Sequence, residues 1–78
     1  MSAARYVVQV GAFTEAGPLR DARQRVERLG LKTYTQVINS PAGQRTRVRV
    51  GPFDSRAEAD AASVKLRAAG LQAAILTL

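Results

Sequence analysis

The sequence predicts a single α+β domain with a βαββαβ pseudo-repeat, folded as a four-stranded antiparallel sheet with two helices on one face. Three observations lead there. First, 78 residues hold one domain with a thin core, since so small a chain buries only about 60% of its unfolded surface. Second, the chain repeats itself without a gap. Val8-Gln9-Val10-Gly11-Ala12-Phe13 returns as Val48-Arg49-Val50-Gly51-Pro52-Phe53, and Gly30-Leu31 returns as Gly70-Leu71 at the same offset. Third, each half carries alternating β-branched residues, then an apolar stripe at spacings of three and four, then a second β-rich run. Two such halves pair into one sheet with the helices on a shared side.

Taken in order, Met1–Arg5 reads as an N-terminal tail or expression remnant and residues 6–78 as the domain, with half-repeats at about 6–38 and 45–78. Tyr6 to Gly11 is the first strand, alternating around Val8 and Val10. Thr14 can cap the first helix, and Pro18 suits an early helical position where its missing N–H costs nothing. Leu19, Ala22, Val26 and Leu29 form the buried stripe, matched in the second half by Ala59, Ala62, Leu66 and Ala69. Gly30 sits where a left-handed residue ends a helix. Leu31 to Ile38 is the second strand, and Asn39 to Gln44 a hairpin loop of turn residues. Arg45 to Gly51 is the third strand. Asp54 or Ser55 caps the second helix, and Ser55 and Glu58 have capping-box spacing. Gly70 ends it, and Leu71 to Leu78 is the last strand. The two repeated strands lie side by side at the centre. Phe13 and Phe53 plug the core where strand gives way to helix.

Composition narrows the function. There is no cysteine and no histidine. Disulfides, thiol catalysis, the usual zinc and copper sites and the commonest general base are therefore excluded, and the expected cofactor and metal content is none. The six acidic residues fall on helix caps or exposed helix faces and form no catalytic pair. A thin core with no cleft points to a binding module rather than an enzyme. No apolar run approaches the roughly 18 residues of a membrane span, and Met1-Ser2-Ala3-Ala4 has no signal pattern. Net charge is +6, from ten arginines, two lysines and six acids, which favours an anionic partner.

One face of the predicted sheet has no element left to cover it, and function is expected there. If Val8, Val10, Val48 and Val50 face the helices, strand alternation turns Val7, Gln9, Arg45, Arg47 and Arg49 outward. Arginine presents a planar fork of donors that suits carboxylates. Gln9 adds donors and an acceptor suited to hydroxyl and acetamido groups. Three arginines on one face of one strand repel each other, which an ordinary solvated face would avoid.

Tyr6-Val7-Val8-Gln9-Val10-Gly11-Ala12-Phe13, followed by Arg47-Val48-Arg49-Val50-Gly51-Pro52-Phe53, with each helix ending in Gly-Leu, resembles the SPOR (sporulation-related repeat) family from about Tyr6 to Leu78. The resemblance implies a non-catalytic module that binds peptidoglycan, preferring glycan strands whose stem peptides an amidase has removed. Such strands accumulate at the division septum, so the domain would target its parent protein there. It further implies a periplasmic location and a membrane-anchored or lipoprotein parent outside this fragment. The family's first-strand glutamine maps onto Gln9 and its third-strand arginine onto Arg47. The position three after the glutamine, often small and polar, is Ala12 here. A position that some members fill with an aromatic is Arg45, and a last-strand aliphatic maps onto Ile75. A peptide-free muramic acid exposes a lactyl carboxylate on every disaccharide, a regular polyanion that an arginine row with a glutamine can read. Stem peptides would clash with a flat face or change its charge pattern.

The rival from another class is single-stranded nucleic-acid binding, because the βαββαβ order is that of an RNA-recognition motif and the charge has the right sign. That module stacks bases on aromatics of its central strands, and the outward central positions here are Val7, Gln9, Arg47 and Arg49. Nucleic acid is accordingly not expected as a partner. A ferredoxin-like regulatory domain for a small molecule is a third reading. A monomer is expected, because no long exposed hydrophobic strand is evident.

Overall fold

The computed structural model describes residues 4–78, so the reading of Met1–Ala3 as a tail lies outside the described residues. Arg5 is already part of the fold. Its carbonyl accepts a hydrogen bond from the Leu78 N–H at 2.8 Å, and its guanidinium lies 3.8 Å from Asp54. The elements run β1 (Tyr6–Phe13), α1 (Ala16–Arg28), β2 (Thr33–Ser40), β3 (Gly43–Phe53), α2 (Arg56–Ala68) and β4 (Ala74–Thr77). All strand pairs are antiparallel, in the order β2-β3-β1-β4. The repeated strands are central, as expected.

Both helices pack on one side. Val8 and Val10 of β1 and Val48 and Val50 of β3 form one core with Val26 of α1 and Ala59, Ala62 and Leu66 of α2. Tyr6, Phe13, Leu19, Leu29, Phe53, Leu71 and Ile75 rim it. The residues are small because the layer is thin: alanines on α2 let the helix approach the valines of the sheet closely.

Two departures from strict alternation shape the central strands. Gln9 pairs with Arg49 but Gly11 pairs with Val48, so Val10 is an extra residue in β1. Tyr6 pairs with Phe53 but Val8 pairs with Val50, so β3 carries an extra residue near Gly51 and Pro52. Each bulge bends its strand and re-aims the side chains beyond it. In both, the ring of the phenylalanine two residues on folds back over the glycine. A Cβ on Gly11 would lie 3.1 Å from the Phe13 ring, and one on Gly51 would lie 3.2 Å from the Phe53 ring and 3.2 Å from the Tyr6 carbonyl oxygen. Gly51 also has φ +126, a region that side chains rarely adopt.

Some element ends differ from expectation. The hairpin between β2 and β3 is tighter, with Ser40 paired to Gly43 and only Pro41 and Ala42 at its tip. Asn39, Ser40, Gly43 and Gln44 extend the ladder instead of looping out, and a Gln44 to Asn39 side-chain bond spans it. The N-cap of α1 is Glu15, with no side-chain cap bond, rather than Thr14. Ser55 caps α2 as expected: its hydroxyl accepts from the Glu58 N–H at 3.2 Å, and the Glu58 carboxylate accepts from the Asp54 N–H. Gly70 (φ 80) closes α2 with its N–H on Arg67 O and the Leu71 N–H on Leu66 O, the paired bonds of a Schellman motif. No helix is long and apolar enough to cross a membrane among the described residues.

Candidate functional site

The uncovered face of the sheet is built by register. Tyr34, Gln36 and Ile38 of β2 lie opposite Arg49, Arg47 and Arg45 of β3. Across the centre, Arg49 pairs with Gln9 and Arg47 with Ala12. On β4, Ala74 lies beside Gln9 and Leu76 beside Val7. Apart from Ala12, these positions alternate with the core valines, so they share the side away from the helices.

Gln9 and Arg49 form its middle. The Arg49 guanidinium donates to the Gln9 side-chain oxygen from Nε at 3.3 Å and from the terminal Nη2 at 3.2 Å. This pair occupies equivalent positions of the repeat, so the approximate two-fold axis relating the halves passes through it. Among the described residues nothing else bonds the Gln9 amide NH2 or the remaining Arg49 donors, which leaves them able to donate. Both side chains are half-buried, so less conformational freedom remains to be lost on binding.

The charge on this face is unbalanced. The ion pairs among the described residues are Arg5–Asp54, Arg25–Asp21 and Arg56–Asp60. All six acids lie in or next to the helices. Among the described residues, Arg45, Arg47 and Arg49 therefore stand in a row with no acidic side chain on their side. Alternate residues of a strand are about 7 Å apart, so each neighbouring pair repels by about 0.6 kcal/mol at the dielectric of water. A row of carboxylates laid along the strand would turn that cost into attraction.

Ala12 reaches this face only because of the bulge. Strict alternation from Gln9 would send the even-numbered Ala12 to the core. The extra Val10 shifts the phase, so Gln9 and Ala12 point the same way while Val10 and Phe13 stay with the helices. Beside Ala12 is a notch of about 330 Å³ lined by Val10 to Phe13 and Gly70 to Gln72. It exists because β4 pairs with β1 only as far as Gln9 and Ala74.

Two expected site positions are corrected. Ile75 pairs with Val8 and packs against the core, so it belongs to the helix side; its neighbour Leu76 takes the uncovered side. Val7 is on that side but 0% exposed, and it lies outside the helix-side core cluster. It is a floor beneath the face, flanked by Leu76. Gln9, Arg47 and Arg49 are half-buried there, and Arg45 is exposed.

Sequence reasoning missed the contribution of β2. Tyr34 is 38% exposed beside Arg49, which adds an aromatic from the edge strand to a face whose central strands carry none outward. The missing signal was the hairpin. Reading Asn39 to Gln44 as a loop loses the register, whereas a two-residue tip at Pro41 and Ala42 pairs every residue of β2 with β3 and puts Tyr34, Gln36 and Ile38 in the arginine row.

A family model described as SPOR domain matches residues 2–77. No curated protein matches. Among solved structures, the SPOR domain of RlpA from Pseudomonas aeruginosa superposes with a TM-score of 0.73 at 22% identity, covering 91% of this chain and 96% of that one. The peptidoglycan-binding domain of the cell wall lytic enzyme CwlC from B. subtilis does so with a TM-score of 0.73 at 26% identity, covering 100% and 94%. The Spor protein DedD gives a TM-score of 0.65 at 27% identity, covering 94% of this chain and 38% of that one.

Proposed function

The chain belongs to the SPOR domain family, and on that premise we propose that it binds peptidoglycan glycan strands through the uncovered sheet face and performs no catalysis. The observation that carries the reading is the hydrogen-bonded Gln9–Arg49 pair set in a row of arginines that no ion pair among the described residues balances. The likeness to a peptidoglycan-binding domain supports it.

Arg47 and Arg49 meet the lactyl carboxylates that peptide removal exposes, and Arg45 extends the row. The free Gln9 amide donates to an acetamido carbonyl or a hydroxyl. Ala12 keeps the neighbouring surface low, so a sugar ring can lie over the notch. Tyr34 and Ile38 offer apolar surface to the less polar faces of the sugars. An intact stem peptide would replace the lactyl carboxylate by an amide and add bulk over a flat surface, so the preferred ligand is the denuded strand. Such a preference targets the parent protein to the division septum and places the domain in the periplasm, with the membrane anchor in the rest of the parent.

To the element order and the sign of the charge, Tyr34 adds an observation that favours nucleic acid, since an aromatic beside arginines can stack a base. It lies on the edge strand, away from the central positions where an RNA-recognition motif stacks its bases.

Pelleting of the domain with peptidoglycan sacculi, before and after amidase digestion, separates these readings. Binding should rise after digestion, survive an excess of RNA, and fall at least tenfold in a Gln9→Ala/Arg47→Ala variant. Binding that is indifferent to amidase and abolished by RNA or modest salt would overturn the glycan reading, because charge alone would then explain it.

A further inference from the structure

The two edges of the sheet are unlike each other. β4 has four residues, and so short an edge gives an incoming strand little to pair with. β2 has eight, Thr33-Tyr34-Thr35-Gln36-Val37-Ile38-Asn39-Ser40, with no charge, no proline and no bulge. Val37 is 52% exposed. The usual devices that keep an edge from pairing are absent over its whole length. This differs from the expectation of a monomer, which rested on there being no such strand.

The direction of its free backbone groups comes from one bond. The Gly51 N–H donates to Lys32 O at 3.0 Å, so Lys32 and Gly51 form a hydrogen-bonded pair. In an antiparallel ladder such pairs alternate, so Tyr34, Gln36 and Ile38 turn their N–H and C=O groups toward β3. Thr33, Thr35, Val37 and Asn39 turn theirs to the open edge.

We propose that β2 pairs antiparallel with β2 of a second copy, centred on Gln36, to form a two-fold dimer with an eight-stranded sheet. The occupant is a second copy because the strand complements itself in that register. Tyr34 falls opposite the second copy's Ile38 on the uncovered face, an aromatic against a β-branched residue. Thr35 falls opposite Val37 and Thr33 opposite Asn39 on the other face. Each odd-numbered pair exchanges N–H and C=O bonds in both directions, and no charged residue meets another. The two arginine rows are then three strand spacings apart, about 14 Å, beyond the screening length of about 8 Å at physiological salt. Their repulsion does not forbid the pairing. Strand pairing without face packing buries little apolar area, so the dimer is weak. Its existence does not depend on what the uncovered face binds.

Sedimentation equilibrium from micromolar to millimolar concentration tests this, with Thr35→Pro and Val37→Lys variants and isotope-filtered NOE spectra of a labelled and unlabelled mixture. Thr35 spends no N–H on β3, so proline there spares the monomer's ladder; circular dichroism verifies that both variants are folded. The expected result is a wild-type mass rising toward that of a dimer, NOEs from Tyr34 to the second copy's Ile38, and folded variants that stay monomeric. A wild-type chain monomeric at millimolar concentration, or a dimer that persists in folded Thr35→Pro, would overturn the proposal.

Discussion

The two halves of this chain share a plan and differ in what each is asked to hold. In the first, α1 begins at Glu15 without a side-chain cap bond and buries Ala22 and Val26. In the second, α2 is capped by Ser55, closed by a Schellman pair at Gly70, and buries Ala59, Ala62, Ser63 and Leu66. The first helix leans on the second: the Arg25 guanidinium donates to Ala69 O at the α2 C-terminus, 2.6 Å away, where a cation is favoured by the helix dipole. The strands differ as well. Gly51 is locked by positive φ and by the Tyr6 carbonyl oxygen, whereas only the Phe13 ring, from its own strand, crowds Gly11. The second half is the anchor, and the first carries the glutamine that breaks the symmetry at the centre of the face.

Paired substitutions read from urea unfolding test this difference between the halves. The largest effect is expected in the core. Leu66 and Val26 are equivalent and fully buried, and Leu66→Ala should cost about 3 kcal/mol against about 2 kcal/mol for Val26→Ala, because one more carbon is lost and a larger cavity left. Equal costs would mean that the halves share the core evenly. Next come the glycines. Gly51→Ala should cost about 2–3 kcal/mol, since strain at positive φ adds to a contact with backbone that cannot move aside. Gly11→Ala should cost about 1 kcal/mol, since a ring can shift. A Gly11→Ala cost as large as that of Gly51→Ala would show the two bulges to be equally rigid. The smallest effects lie at the caps. Ser55→Ala should lose about 1 kcal/mol, whereas Glu15→Ser should gain about 0.5–1 kcal/mol by supplying the bond that α1 lacks. No gain from Glu15→Ser would place the weakness of α1 elsewhere than its N-terminus.

Most of the fold was legible because it rests on two periods and a repeat. The valines at alternate positions and the apolar stripe with its closing glycines each point to one element, and the offset of the repeat puts the equivalent strands together. The face was legible in part. Arg45, Arg47 and Arg49 emerge from alternation alone, as β3 is regular over that stretch. Ala12 does not, because a bulge resets alternation and nothing in Val-Gln-Val-Gly-Ala-Phe marks which residue is extra. Ile75 and Leu76 are both aliphatic, so composition cannot choose between them, and only the pairing of Val8 with Ile75 decides. The register that sets Tyr34 beside Arg49 was hidden by the hairpin, where Pro41 and Gly43 look like a longer loop than the two-residue tip of Pro41 and Ala42. Val7 shows a further limit: pointing away from the helices is not the same as being exposed, and burial depends on neighbours that local pattern does not name.

The proposed ligand position is the sheet face around Gln9 and Arg49. The most direct test is a titration of the ¹⁵N-labelled domain with a peptide-free glycan oligomer, following backbone and side-chain N–H signals. The largest shifts are expected at the Gln9 side-chain amide, the Arg47 and Arg49 Nε–H groups and the backbone of Ala12 and Tyr34, with α1 and α2 nearly unmoved. Shifts concentrated on the arginines of α1, Arg20, Arg23 and Arg28, with the sheet face silent, would contradict it.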